Sequence, residues 1–177
     1  MLGHDVTVHD LLDSASAVVD DVVALRRQLH QHPELGLDNP RTQQRILDAL
    51  DGLPLEIHTG SGLTSVVADL EGALDGPTVL LRADTDALPM PEESGESFCS
   101  QVEGRAHACG HDAHTAMLVG AARLLADRRS DLHGRVRFMF QPGEEGGGGA
   151  GVMLDEGVLD GVDRAFAIHI TPNLPVG

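Results

Sequence analysis

Apolar residues first recur at helical spacing. Val18, Val19, Val22, Val23, Leu25 and Leu29 fall three or four positions apart, which predicts a helix from Ser14 to about His30 with Ser14 as its cap. Pro33 and Gly36 end it. The stretch NPRTQQRILDAL (39–50) predicts a second helix, with Asn39 as N-cap and Pro40 in its first position. The period then changes. LEIHT (55–59), TSVVADLE (64–71) and PTVLLRAD (77–84) read as strands, parted by the turn signals TGSG and GALDGP. A long helix follows from Asp112 to about Arg129, with Met117, Leu118, Ala121, Leu124 and Leu125 on one side. GRVRFMFQ (134–141) is a strand, Gly149 to Leu159 a short helix, and DRAFAIHI (163–170) a last strand.

From residue 77 onward the order is strand, helix, strand, helix, strand. That alternation predicts an α/β fold, a sheet with substantially parallel strands and helices on its faces. Ligands of such sheets collect beyond the carboxyl ends of the strands. Reactive side chains should therefore be sought there.

Composition narrows the function classes. The 177 residues are 41% apolar, enough for a core. Twelve basic against 28 acidic residues give a formal charge of −16, and four Phe are the only large aromatic side chains. Such a chain repels phosphate backbones and has little to stack on bases, so nucleic acid is set aside as a partner. No apolar run reaches the length of a membrane span, and MLGHDVTVHD lacks the regions of a signal peptide. Two cysteines, Cys99 and Cys109, are too few for a disulfide scaffold. A cytoplasmic, reducing setting is the expectation, with a Cys99–Cys109 bridge as the alternative.

The strand ends carry the chemistry. PTVLLRAD ends in Arg82 and Asp84, followed by Asp86. GRVRFMFQ runs out into Glu144 and Glu145. DRAFAIHI carries His169 near its end, and the long helix opens with HACGHDAH, which holds Cys109, His111 and His114. Cys109 and His111 are two apart, so in an extended segment both reach one ion. A thiolate, imidazoles and a carboxylate suit Zn²⁺ or another first-row divalent ion rather than Ca²⁺ or Mg²⁺. Singly, Cys109 reads as a small hydrophobe and His169 as a core histidine; their convergence with Glu145 favours ligation. A structural zinc module is disfavoured, because those sites have no use for a spare glutamate.

The segment QPGEEGGGGAG (141–151) reads either as a flexible linker or as a site wall. Adjacent strand residues point to opposite faces, but Pro142 and Gly143 break the ladder and would let both carboxylates face one cavity. One could bind metal while the other takes a proton from an activated water. Asp84 and Asp112 are candidates to receive the second N–H of a metal-bound imidazole. A strand-end turn and a helix N-cap are their respective alternatives.

LRRQLHQHPELGLDNPRT, RADTDALP, HACGHDAHTAM, QPGEEGGGGAG and AIHITPNLPVG occur in this order. Together they resemble the amidohydrolase branch of the aminoacylase and carboxypeptidase metallopeptidases, which includes hippurate hydrolase, indole-acetyl-amino-acid hydrolases and N-acetyl-diaminopimelate deacetylase. The resemblance implies a three-layer, zinc-exopeptidase-like catalytic domain with a largely parallel mixed sheet. It implies two divalent ions (Zn, Mn, Ni or Co) in the complete enzyme, held by Cys109, His111, Glu145 and His169, with Glu144 as general base. Arg82 stands where the wider family has a ligand histidine. The implied substrate is an N-acyl amino acid or short peptide, and the full-length family implies a homo-oligomer. Because such proteins are roughly twice as long, residues 1–177 are expected to be the N-terminal part of the catalytic domain. The inserted lid and dimerisation domain, a C-terminal segment and its last metal-binding histidine would then be lacking. A fragment without activity of its own is the alternative.

Overall fold

The computed structural model describes residues 8–171 and 173–175. Helix α1 (Val8–His30) and helix α2 (Pro40–Leu50) precede strands β1 (Glu56–Thr59), β2 (Val66–Glu71) and β3 (Leu74–Asp84). Helix α3 (His111–Ala126), a 3-10 turn (Arg129–Asp131), strand β4 (His133–Gln141), helix α4 (Gly149–Asp155) and strand β5 (Arg164–Ala167) complete the order.

Several element ends differ from expectation: α3 stops at Ala126, α4 at Asp155 and β5 at Ala167, each short of the expected end, and β3 starts earlier, at Leu74. The two N-terminal helices are also capped differently. Helix α1 begins upstream of Ser14, so that residue is interior and its hydroxyl donates to the Asp10 carbonyl at 2.7 Å. Asn39 does occupy the N-cap position of α2, but its amide donates to the Gly36 carbonyl at 3.1 Å. The free amides of α2 are taken by a more distant acid. Glu34 accepts the N–H of Arg41 at 3.3 Å and of Thr42 at 2.8 Å, a capping role suited to a carboxylate at a helix N-terminus.

The five strands form one sheet in the order β1-β2-β4-β3-β5. Strands β4, β3 and β5 are parallel, whereas β1–β2 and β2–β4 pair antiparallel. Strands β2 and β3 are separated only by Gly72 and Ala73, yet they do not pair, because β4 lies between them. In the parallel block Asp84 lies opposite Gln141 and Arg82 opposite Ala167. The carboxyl ends of three strands therefore open on the same rim.

Alternation along the strands sorts two cores. Val66, Ala68, Leu70, Ala83, Val136, Phe138 and Phe140 face Ile46, Leu50, Leu118, Val119 and Ala122 of α2 and α3. On the other side Leu80 and Met139 pack with Met153 of α4 and with Val158. Helices thus cover both faces, giving three layers. Strand β5 is left at the edge, with Phe166 58% exposed, and Ile168 just beyond it is 64% exposed. Cys99 and Cys109 are both free thiols, so the bridge considered as an alternative does not form. Among the described residues no helix is long and apolar enough to cross a membrane.

Candidate metal centre

At the rim, α3 starts directly on the site. Its N-cap is Gly110, with φ of 89°, a conformation open to glycine and strained for other residues. A Cβ at Gly110 would also overlap the side chain of Ile170. The bare backbone lets the segment after β5 lie against the turn before α3. That packing brings His169 Nε2 to 3.3 Å from Cys109 Sγ. His114 ties the same segment down. Its Nε2 accepts the Ile170 N–H at 3.0 Å, which leaves the proton on Nδ1, donated to Asp84 Oδ1 at 2.6 Å. The His114 and His169 rings meet edge-on with centroids 4.7 Å apart. Arg82 sits against the other oxygen of Asp84 at 2.7 Å, so it is a counter-charge to that acid.

Beyond β4 the chain turns sharply at Pro142 and Gly143. The amides of Glu144 and Glu145 both donate to Asp86, at 2.9 Å to Oδ1 and 3.0 Å to Oδ2. Two successive N–H groups that converge on one anion curl the backbone, unlike a strand where they alternate. The side chains are then free to serve one cavity. His111 Nε2 lies 3.9 Å from Glu144 Oε2 and 3.9 Å from Glu145 Oε1. Behind this turn, Gly149 closes a hydrogen bond to the Gly143 carbonyl at 3.1 Å. A Cβ on Gly149 would collide with the Pro142 carbonyl and one on Gly147 would press on Gly143, so the wall is fitted at these two glycines, while Gly146 and Gly148 border open space.

His111 is the hub. Its Nδ1–H donates to the Asp86 carbonyl at 2.8 Å, which turns Nε2 toward the acids. That Nε2 is fully buried and has no hydrogen-bond partner. Potential ligand atoms of Cys109, His111 and His169 lie within 4.8 Å of one another. The same holds for Asp84, His111 and His114, and for His111, Glu144 and Glu145. Burial pushes the Cys109 thiol up to about 11, reinforced by the neighbouring Glu145 and by the charges of Asp84 and Glu144. A buried imidazole lone pair without a partner, facing a thiol and several carboxylates that repel one another, fits a divalent cation.

Of the residues singled out in the sequence, Cys109, His111, Glu144, Glu145, His169 and Asp84 meet here. Two details differ. Cys109 and His111 do not share an extended segment: His111 is the first residue of α3, and the left-handed Gly110 bends the chain between them. Asp112 points away from the pocket. Its Oδ2 accepts from Arg26 Nε at 2.9 Å and from His30 Nδ1 at 2.7 Å, and it is not the cap of α3. The acceptor that orients His111 is the main chain of Asp86. Asp86 and His114 went unassigned in the sequence. Their only local signals are the spacings of Asp84 with Asp86 and of His111 with His114.

Residues 80–177 match the model of Peptidase family M20/M25/M40. An N-acetylcysteine deacetylase of Bacillus subtilis is 46% identical over 157 residues, which are 88% of this chain and 41% of that protein. An N-acyl-L-amino acid amidohydrolase of Geobacillus stearothermophilus is 44% identical over 162 residues, 90% of this chain and 44% of its own length. Among solved structures, a Bacillus subtilis protein described as a dinuclear metal binding peptidase from the M20 family superposes with a TM-score of 0.87 at 45% identity. That likeness covers 91% of this chain and 45% of the other. The chain thus spans less than half the length of these relatives.

Proposed function

Because the chain belongs to Peptidase family M20/M25/M40, we propose that it is the N-terminal part of the catalytic domain of a metal-dependent amidohydrolase, which cleaves N-acyl amino acids or short peptides into a carboxylate and an amine. The observation that carries this reading is the partnerless, buried Nε2 of His111 set between Glu144, Glu145 and the Cys109–His169 pair. Cys109, His111, Glu145 and His169 would hold two divalent cations, Zn²⁺, Mn²⁺, Ni²⁺ or Co²⁺. Bound there, such ions supply Lewis acidity toward the acyl carbonyl and make a water acidic near neutral pH.

The remaining work falls to side chains of this chain. Glu144 is 43% exposed on the side chain and Glu145 27%. The more accessible Glu144 is the one left to meet substrate. It takes a proton from the attacking water on a carboxylate oxygen and returns it to the leaving nitrogen. Asp84 holds His114 and neutralises Arg82, fixing the floor of the pocket. The glycine wall keeps that side low enough for an acyl group to approach main chain. A cytoplasmic location and a homo-oligomeric full-length protein, which would also carry the inserted lid and dimerisation domain, belong to the same proposal.

The test is metal stoichiometry and hydrolysis of an N-acetyl amino acid by the wild type and three variants. Cys109→Ser and Glu145→Ala should lose bound metal, while Glu144→Gln should keep metal and lose turnover. Unchanged metal content in the first two would refute the ligand assignment. A second reading is that residues 1–177 bind a cation without turning over substrate. It is favoured by the chain spanning 41% and 44% of the two relatives' lengths. Metal uptake without turnover, with turnover appearing once the remaining part of a relative is added in trans, would select it.

A further inference from the structure

Glu144 and Glu145 are neighbours, and neighbours on a regular chain diverge. Something must hold their turn so that both reach the cavity. The two amides that do so end on one side chain, that of Asp86, whose carboxylate is fully buried. The same residue reaches His111 by a separate route, its main-chain carbonyl at 2.8 Å from Nδ1. Asp86 is itself pinned from both sides. Thr85 N–H donates to the Gln141 carbonyl at 2.9 Å, extending the β3–β4 ladder, and Ala87 N–H donates to the Glu34 carbonyl at 2.8 Å. It therefore sits on rigid scaffold while gripping a loop.

We propose that Asp86 is a positioning residue of the centre: its carboxylate, by accepting the consecutive amides of Glu144 and Glu145, sets the turn that aims both glutamates at the pocket faced by His111. The inference rests on the reading of His111 and Glu145 as metal ligands. Two functions of Asp86 are separable. The hydrogen bond to His111 uses the main-chain carbonyl and survives any substitution that keeps the backbone; the carboxylate is only a neighbour of that ring, Oδ1 lying 3.7 Å from Nδ1. Orientation of the glutamates needs two acceptor oxygens. Asparagine has the same shape but one acceptor, and its NH₂ faces an N–H that it cannot receive.

Zn²⁺ binding by the 177-residue chain, followed by isothermal titration calorimetry, tests this. Asp86→Asn should keep the far-ultraviolet circular dichroism of the wild type and weaken Zn²⁺ binding by roughly 10- to 100-fold, the usual effect of losing a group that orients a ligand. In Glu145→Ala, which lacks the ligand through which Asp86 acts, adding Asp86→Asn should cost much less. A role confined to folding would lower Tm and leave the Kd of the folded protein unchanged, and that result overturns the proposal. The wild type gives a reading that needs no variant: the amide hydrogens of Glu144 and Glu145 should exchange slowly, and free exchange at either would also overturn it. Should Glu145→Ala itself leave Zn²⁺ affinity intact, the ligand reading fails. If Glu145→Ala weakens binding and Asp86→Asn does not, only the role of Asp86 fails.

Discussion

His30 Nδ1 lies 2.7 Å from Asp112 Oδ2, joining the last turn of α1 to the first turn of α3. The far nitrogen of His30 meets Glu92 at 3.0 Å. The hydrogen bond to Asp112 raises the His30 pKa against the opposing effect of burial, with further help from Glu92. On Asp112, burial acts against the charge but is outweighed by the His30 hydrogen bond and the charges of His107 and Arg26, so its pKa falls.

The sign of the pH dependence follows. Stability contributed by His30 is complete below its unfolded value of 6.5 and is lost as pH rises through the raised folded value. Stability from Asp112 is present above 3.8 and is lost as pH falls through its lowered folded value. Melting curves should show the wild type most favoured over His30→Gln near pH 5, with the gap narrowing toward alkaline pH. A gap that stays constant from pH 5 to 9 would contradict the ion-pair origin.

Arg137 grips Asp69 across the β2–β4 pair with two hydrogen bonds, Nε to Oδ1 at 2.9 Å and Nη2 to Oδ2 at 2.8 Å. Both side chains are largely covered. Arg137→Ala would leave the buried Asp69 carboxylate with only the half-exposed Arg135, 3.8 Å away, and should cost up to about 3 kcal/mol. Urea denaturation is expected to show that loss. Asp69→Asn in the same background should recover part of it.

Phe138 is fully buried in the core under α2 and α3, whereas Phe166 is 58% exposed on β5. Phe138→Ala is expected to destabilise by about 3–5 kcal/mol. Phe166→Lys should leave stability nearly unchanged while reducing self-association, since an exposed apolar edge strand is a template for pairing. Chemical denaturation and size-exclusion chromatography with light scattering read the two effects.

The Cys109 thiol, pushed up to about 11, is protonated at neutral pH without a cation. If it ligates metal it must release that proton. Calorimetric titration with Zn²⁺ in buffers of different ionisation enthalpy should count about one more proton released by the wild type than by Cys109→Ser. Equal counts would remove Cys109 from the ligand set.

Sequence and structure agree where local rules suffice. Period and turn residues located every helix and strand, and the run-outs of β3, β4 and β5 placed Asp84, Glu145 and His169 on one rim. Long-range choices were not legible. Nothing near Gly72 announces that β4 will part β2 from β3, because strand pairing depends on residues some sixty positions away. Asp112 is a candidate acceptor for a metal-bound imidazole by residue type alone, but a helix turns successive side chains by about 100°, and Asp112 faces Arg26 and His30 of α1 instead. Asp86 was hidden for the converse reason. Its acceptors serve amides from a loop that only the β3–β4 pairing brings near.

The insertion of β4 between two strands adjacent in sequence has a kinetic consequence. A β2–β3 hairpin cannot be an early native intermediate, since its two halves are never partners. The central strand must arrive from the far side of α3, a slow, non-local event. As β4 docks on β3 it carries Glu144 and Glu145 onto Asp86, so formation of the β3–β4 pair and of the glutamate turn should be the same kinetic step.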